Sequence, residues 1–185
     1  VPVDPQVIKN QTEATLACWD IDAVKIGMLG TVPAIDATAE ILSQNNFPHV
    51  VVDPVLICKG QEAGAALDID NALREKILPL ATVLTPNLFE TETLSGMENI
   101  STVEELTEAA KRIADSGAKA VLVKGGANLP GDNAVDVLWD GHEATVYSAP
   151  KVGDLRVSGA GDSLAAALTA ELAKGKDLHA AVRAA

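Results

Sequence analysis

Residues 156–163, with the sequence Arg-Val-Ser-Gly-Ala-Gly-Asp-Ser, combine residue types that suit phosphate chemistry. Glycine permits a tight backbone turn, and the Ala- and Leu-rich sequence that follows predicts a helix that begins at once. A helix N-terminus directs free N–H groups and a positive dipole end at whatever precedes it, which makes an anion site. A carboxylate such as Asp162 repels phosphate, but it suits a general base for a hydroxyl that attacks phosphorus. The alternative, that Asp162 only stabilises the helix N-terminus, stays open.

Carboxylate and amide side chains in two other segments of the sequence could hold a magnesium ion. Asn87 and Glu90 lie three residues apart at a predicted helix start and therefore share one face. Mg²⁺ binds through a few carboxylates and keeps several waters, which fits this pair. Asp53, between an apolar strand and Pro54, is a second candidate for the metal environment. The alternatives are an early acid at a helix start and a turn aspartate.

Lysine and cysteine residues supply further candidates. Lys124 ends a predicted buried strand before Gly125 and Gly126, where it could reach a phosphate as a point charge. The alternative is a strand-end lysine that extends to solvent. Cys58, within a sequence typical of a flexible loop, is either a core thiol or a pocket residue, whereas Cys18 is predicted to pack in the core.

Composition limits the classes of function. The chain has 185 residues, enough for one domain with a sizeable core, and we predict a single domain over residues 1–185. The net charge of −12 argues against a nucleic-acid partner, and no apolar run is long enough to span a membrane. The two cysteines form no CxxC pair and the three histidines have no metal-ligand spacing, so a reducing cytoplasmic location fits.

Strand and helix patterns alternate along the chain, which predicts an α/β fold with a mostly parallel central sheet flanked by helices. Predicted strands cover residues 23–30, 49–53, 81–84 and 120–124, and a hairpin joins 135–139 to 144–147. Helical patterns cover part of residues 10–19, then 32–45, 69–80, 88–95, 101–116 and the segment from the glycine turn to 174. The sequence starts without Met and stops inside a helical pattern, so we expect truncation at both ends, with N-terminal strands and a C-terminal helix absent.

Four motifs in order carry a resemblance to a known family: Asp-Pro-Val at 53–55 with Cys-Lys-Gly at 58–60, Thr-Pro-Asn-Leu-Phe-Glu at 85–90, Lys-Gly-Gly at 124–126 and Gly-Ala-Gly-Asp at 159–162. Together they closely resemble the ribokinase-like vitamin kinases, in the branch of bacterial pyridoxal (pyridoxine) kinase and hydroxymethylpyrimidine (phosphate) kinase. The resemblance implies a ribokinase-like fold and ATP-dependent phosphorylation of a hydroxymethyl group on a heteroaromatic ring. It also implies Mg²⁺, K⁺ as a further candidate ion, and a homodimer.

The resemblance implies a role for each matching residue. Asp162 would be the base, and the N–H groups of Gly159, Ala160 and Gly161 would hold the transferring phosphoryl charge. Metal-site residues would be Asp53 and Glu90, with Asn87 beside them. Nucleotide-binding residues would be Thr85, Asn87, Lys124, Gly125, Gly126, Val152 and Ser158, with adenine near residues 146–152. Ring-binding residues would be Gly27, Met28 and Cys58.

Three departures from the family pattern leave alternatives open. No Gly/Ser-rich N-terminal substrate segment is present, Arg-Val-Ser at 156–158 replaces the common Asp-Thr-Thr, and Asp162 stands where some dual-activity enzymes carry Cys. The main prediction is a vitamin B6 kinase. The alternatives are hydroxymethylpyrimidine (phosphate) kinase, dual activity, a dinucleotide-binding domain that uses residues 158–161 as its phosphate turn, and a non-catalytic nucleotide-binding protein.

Overall fold

The computed structural model of the protein describes residues 2–56, 63–126, 128–153 and 157–185, and the side chains of residues 63–66 lie outside this description. The described helices are α1 Pro5–Leu16, α2 Val32–Gln44, α3 Ala63–Lys76, α4 Leu88–Ser95, α5 Val103–Ala114, α6 Ala160–Ala173 and α7 Leu178–Ala184. The described strands are β1 Ala23–Ile26, β2 His49–Val52, β3 Val83–Leu84, β4 Ala120–Gly126, β5 Asn133–Trp139 and β6 Ala144–Pro150.

All six strands form one sheet in the order β1-β2-β3-β4-β5-β6. The pairings from β1 to β4 are parallel, while β5 and β6 continue the sheet as an antiparallel hairpin. The apolar runs of β2, β3 and β4 suit strands that are covered on both faces. The predicted, mostly parallel sheet is therefore present, and its four parallel strands end at the same edge.

Helices cover both faces of this sheet. One apolar cluster joins Val52 and Leu84 of the sheet to residues of α2, α3 and α5. The other joins Val51 and Val83 to Leu168 of α6, and it also includes a residue of α7. Successive residues of a strand point to opposite faces, so neighbouring valines of β2 serve different helix layers. Helix α6 therefore packs on the face of the parallel strands that carries Val51 and Val83.

Several element bounds differ from the sequence predictions. The helical pattern predicted within residues 10–19 belongs to α1, which begins at Pro5 because the Asp4 carboxylate accepts the Gln6 N–H. The helix predicted over residues 69–80, with a break near Pro79, begins earlier: α3 spans Ala63–Lys76, and a 3-10 turn follows over Leu78–Leu80. Ser101 and Glu104 have the spacing of a capping box, but the capping box of α5 uses Thr102 and Glu105, one residue later.

The predicted burial of Cys18 is wrong. Cys18 is exposed just after α1, and the neighbouring Trp19 is also exposed. The first helix buries no residue, and its main packing partner is α2. No helix in the described ranges combines the length and the apolar character that crossing a membrane requires.

Candidate active site

A cleft of about 790 Å³ lies where the parallel strands end beneath the N-terminus of α6. Its lining includes eight of the predicted site residues: Asp53, Asn87, Glu90, Lys124, Gly126, Ala160, Gly161 and Asp162. They come from four different segments of the chain. The topology unites them, because ligand sites in parallel sheets form outside the carboxyl ends of the strands.

A buried ion pair forms the floor of the cleft. The Lys124 Nζ lies 2.9 Å from Asp53 Oδ1, and the two side chains are only 13% and 7% exposed. The Thr85 hydroxyl donates to the same carboxylate oxygen at 3.2 Å. Thr85 is fully buried, so it supports Asp53 from behind and does not reach the cleft itself. A buried charge is tolerated only when it is paired and hydrogen-bonded, as Asp53 is here.

Glycines shape the N-terminus of α6 above this pair. Gly159 precedes the helix with a φ of 84°, a left-handed conformation that glycine adopts without strain. A Cβ added at Gly161 would lie 3.1 Å from the Lys124 Nζ and 3.8 Å from Asp53 Oδ2. The missing side chain therefore leaves a cradle between the helix N-terminus and a buried ammonium group. Both groups favour an anion, so the cradle fits the phosphates of a nucleotide.

Asp162 lies beside the cradle with its side chain 68% exposed. Its Oδ1 accepts a hydrogen bond from the Lys25 Nζ at 2.9 Å. This hydrogen bond, together with the charges of Lys25 and Lys124, lowers the pKa of Asp162 against the opposing effect of burial. Asp162 is therefore an accessible, ionised carboxylate, as a general base must be.

Sequence reasoning missed Lys25, although a signal was present. It is the one charged residue of the otherwise apolar strand β1. A lysine inside such a strand needs a partner or a route to solvent, which could have marked it. The partner lies 137 positions away along the chain, so spacing could not identify it.

Asn87 and Glu90 form a capping box at the start of α4. The Glu90 N–H donates to Asn87 Oδ1 at 3.0 Å, and the Asn87 N–H donates to Glu90 Oε2 at 2.8 Å. Burial raises the pKa of Glu90 to about 7, although the hydrogen bond from the Asn87 backbone and the Lys124 charge oppose that rise. The pair thus has the structural role that was left open, and Glu90 also lines the cleft.

The donor set of the cleft fits a hydrated magnesium ion. Asp53 and Glu90 both present carboxylates there, and Mg²⁺ in nucleotide sites uses one or two carboxylates plus phosphates and water. Within the described ranges, no three His, Cys, Asp or Glu side chains cluster closely enough to hold a metal alone. Any Mg²⁺ bound here would thus complete its coordination with water and substrate oxygens.

The end of β4 contains an irregularity that shapes the cleft. The register with β5 shifts between Lys124 and Gly126, and a Cβ at Gly125 would lie only 2.4 Å from the Val135 carbonyl oxygen. The Gly126 N–H donates to Asp136 Oδ1 at 3.0 Å. Asp136 lines the cleft and was not predicted, and burial raises its pKa. Its position as an acid within an apolar strand was the available signal.

Among the predicted residues that the structure describes, Gly27, Met28, Val152 and Ser158 do not line this cleft. Met28 is 63% exposed, Val152 is 94% exposed, and Ser158 is exposed at the turn before α6. Gly27 lies next to Lys25, since a Cβ there would be 2.9 Å from the Lys25 Nζ. Cys58 lies outside the described residues, so its predicted place near the ring stays a prediction.

Comparison with known proteins identifies relatives of this chain. A pyridoxine kinase of Bacillus subtilis is 42% identical over 184 residues, which cover 100% of this chain and 68% of the relative. A hydroxymethylpyrimidine/phosphomethylpyrimidine kinase of Haemophilus influenzae is 37% identical over 188 residues, covering 100% of this chain and 69% of the relative. The chain thus spans about two thirds of the length of these relatives.

Solved structures resemble the fold closely. The ADP complex of Bacillus subtilis pyridoxal kinase superposes with a TM-score of 0.89 at 40% identity, covering 100% of this chain and 68% of that one. Staphylococcus aureus pyridoxal kinase in complex with AMP-PCP and pyridoxal gives a TM-score of 0.87 at 37% identity, covering 98% of this chain and 65% of that one. The expected ribokinase-like fold and kinase relationship are therefore confirmed.

A family model described as phosphomethylpyrimidine kinase matches residues 1–185. The relatives of 37% and 42% identity, whose alignments cover all of this chain, agree with this match. The chain belongs to the phosphomethylpyrimidine kinase family.

Proposed function

We propose that this protein transfers the γ-phosphoryl group of ATP to the hydroxymethyl group of pyridoxal, pyridoxine or pyridoxamine. The observation that carries the proposal is the placement of an ionised Asp162 beside the buried Lys124–Asp53 pair in one cleft. The similarity to pyridoxine kinase of Bacillus subtilis supports the choice of acceptor. The adenine nucleotide complexes of related kinases support ATP as the donor.

The chain's own residues account for each requirement of the transfer. Asp162 accepts the proton of the acceptor hydroxyl while that oxygen forms its bond to phosphorus and the bond to the ADP leaving group breaks. The N–H groups of Gly159, Ala160 and Gly161 orient and stabilise the charge on the transferring group. Lys124 holds the phosphates as a point charge, and Asp53 keeps Lys124 in place. When bound, Mg²⁺ offsets phosphate charge, with Asp53 and Glu90 as the residues that would hold it.

The second candidate is phosphorylation of hydroxymethylpyrimidine or its monophosphate. The family match and the relative from Haemophilus influenzae favour it. Both candidates use the same base and phosphate cradle, so the acceptor ring alone separates them, and one enzyme could serve both rings. A non-catalytic nucleotide-binding protein is a weaker alternative, because the base and the cradle are intact.

Further assignments belong to this proposal. We assign Gly27, Met28 and Cys58 to the acceptor ring and Val152 and Ser158 to the nucleotide. We also propose K⁺ as a further ion, a homodimer and a cytoplasmic location. Each of these follows from the family resemblance.

The test is ADP formation by the full-length protein with Mg²⁺ and four acceptors: pyridoxal, pyridoxine, hydroxymethylpyrimidine and its monophosphate. Preference for the two pyridines would support a vitamin B6 kinase. Preference for the pyrimidines, above all turnover of the monophosphate, would support the second candidate. ADP formation at the acceptor-free rate with all four would overturn both, and a sample with excess EDTA measures the metal requirement.

A further inference from the structure

A lysine outside the predicted set contacts the proposed base directly. We propose that Lys25 is a positioning residue for the kinase reaction: it fixes the Asp162 carboxylate at the mouth of the cleft and keeps it ionised beside the phosphates. The proposal rests on the function proposed above. It assigns a role to a strand residue that neither the motifs nor the spacing of the sequence identified.

The strand register directs Lys25 toward α6. Lys25 pairs with Val51 of β2, which lies in the apolar cluster beneath α6. Its neighbours Val24 and Ile26 belong to the cluster on the opposite face. Because side chains alternate along a strand, the Lys25 stem leaves the sheet on the α6 side. Its ammonium group reaches Asp162 Oδ1 at 2.9 Å, with the lysine side chain only 26% exposed.

Gly27 leaves the space that this route requires. An added Cβ at position 27 would lie 2.9 Å from the Lys25 Nζ and 3.8 Å from its Cε. A side chain there would push the ammonium group from its place. Glycine directly after β1 therefore leaves room for the Lys25 side chain. The same contact shows that Gly27 lies close to the site.

The charges around Asp162 give Lys25 a distinct task. Two cations act on Asp162, Lys25 from β1 by direct contact and Lys124 from β4 at longer range. Lys124 is already bound to Asp53 of β2, whose carboxylate also faces the cradle beside Gly161. Phosphates bound in the cradle would add negative charge and favour protonation of Asp162. Lys25 opposes that effect at the base itself, so Asp162 keeps its ability to accept a proton.

The experiment compares Lys25→Met and Lys25→Arg with the wild type in the full-length protein. Lys25→Met removes the hydrogen bond and the charge that lower the pKa of Asp162, so that pKa rises and the acidic limb of the kcat/KM profile moves toward neutral pH. Lys25→Arg keeps the charge and should retain the wild-type limb. Lys76→Met is the matched control, since it removes an equal charge from an exposed pair with Asp36.

Two further readouts separate positioning from a structural or nucleotide-binding role. The ¹³C resonance of the Asp162 carboxyl carbon reports its titration directly, whether or not the protein is active, and its midpoint should rise in Lys25→Met. The KM for ATP should change less than twofold. The proposal would be overturned if Lys25→Met left both the acidic limb of the kcat/KM profile and the titration midpoint of Asp162 unchanged. A large rise in the KM for ATP at unchanged kcat would also overturn it, because Lys25 would then bind the nucleotide.

Failure of the proposed function gives a different result. If the wild-type protein phosphorylates no acceptor, the proposed kinase function is overturned, and the role of Lys25 in that reaction is overturned with it. If the wild type is active and Lys25→Met has the same pH profile, only this inference would be overturned. If Lys25→Met lowers the melting temperature, Lys25→Gln repeats the comparison with a neutral polar side chain, and the same criteria apply.

Discussion

At the level of single residues, two lysine–carboxylate pairs flank the glycine cradle and differ in burial. The Lys124–Asp53 pair is nearly buried, whereas Asp162 of the Lys25–Asp162 pair is largely exposed. Burial strengthens an electrostatic interaction and raises the cost of losing one partner. The buried pair therefore suits a fixed phosphate site, and the exposed pair suits a group that must exchange a proton with a substrate.

Asp162→Asn tests the exposed carboxylate. Asparagine keeps the shape but cannot take up a proton, so turnover should fall by about 10²-fold or more. ATP affinity should stay within about twofold, because the cradle and Lys124 are unchanged. Steady-state kinetics and calorimetric ATP titration measure the two effects, and Asp36→Asn provides a control at another carboxylate paired with a lysine. Turnover that survives in Asp162→Asn would show that another group is the base.

Lys124→Met tests the buried pair. The substitution leaves Asp53 buried without its partner, which should lower the free energy of unfolding by about 3 kcal/mol. Adding Asp53→Asn removes the unpaired charge, so the double variant should be more stable than the single one. Urea unfolding measures stability, and ATP titration should show weaker binding in both variants. Equal stability of the wild type and Lys124→Met would contradict the buried-pair argument.

The predicted site residues that line the cleft share one property: they lie near the ends of strands or at the starts of helices. Asp53, Asn87, Lys124 and Asp162 occupy such positions, and the parallel topology brings such positions to one edge. Lys25 was missed because it lies inside a strand and its role depends on a contact with a distant segment. Contacts of that kind need the register of the sheet, which local patterns do not specify.

At the level of elements, the same side chains that line the cleft also hold the elements in place. The Asn87–Glu90 capping box satisfies two N–H groups at the start of α4. The Asn87 backbone also bridges to Lys124 at the end of β4. The start of α4 is therefore tied to the strand that carries the phosphate-binding lysine. The sequence predicted α4 correctly because the capping signal is local, but it missed the first turns of α3, whose sequence lacks such a signal.

Gly125→Ala tests the irregular end of β4. The new Cβ would lie 2.4 Å from the Val135 carbonyl oxygen and within 3 Å of two leucine side chains, so β4 and β5 would have to separate. Crowding of this kind costs about 1–3 kcal/mol. Gly131→Ala is the control, since its φ of 103° strains alanine although nothing lies within 4 Å.

Both glycine variants should be less stable in thermal unfolding, but only Gly125→Ala should also weaken ATP binding, because it displaces the neighbouring Lys124. If the two variants lose ATP affinity equally, the effect would come from general destabilisation, and the local role of Gly125 would be wrong.

At the level of the whole molecule, a net charge of −12 surrounds a cleft that binds an anion in our proposal. Local cations resolve this conflict, because charges beyond about 10 Å are screened at ordinary ionic strength whereas the buried Lys124 ammonium is not. We therefore expect the sequence-wide charge to affect encounter rates more than bound-state affinity. The prediction that the acidic composition argues against a nucleic-acid partner concerns the charge of the whole surface, and it is compatible with an anion site in this cleft.

A second polar network joins α7 to the β5–β6 hairpin, and none of its residues lines the cleft. The His179 Nε2 lies 3.2 Å from Asp140 Oδ2, and its Nδ1 lies 3.2 Å from the Tyr147 hydroxyl. Asp140 also accepts the N–H groups of His142 and Glu143 in the turn between β5 and β6. These bonds connect α7 to the antiparallel hairpin and make the hairpin turn part of the packing of the last helix.

Asp140→Asn tests this connection through its pH dependence. The backbone N–H groups of Glu143 and His142, with smaller help from His179, lower the pKa of Asp140 from 3.8 to about 2. A lowered pKa stabilises the folded state above pH 3.8, and that stabilisation is lost as the pH falls through about 2. Urea unfolding should therefore show Asp140→Asn to be less stable than the wild type at pH 7, with a smaller difference at pH 3. Asp22→Asn, at an exposed carboxylate before β1, is the control for loss of a surface charge. A constant difference in stability across this pH range for Asp140→Asn would contradict the prediction, because the charge of the carboxylate would then make no contribution.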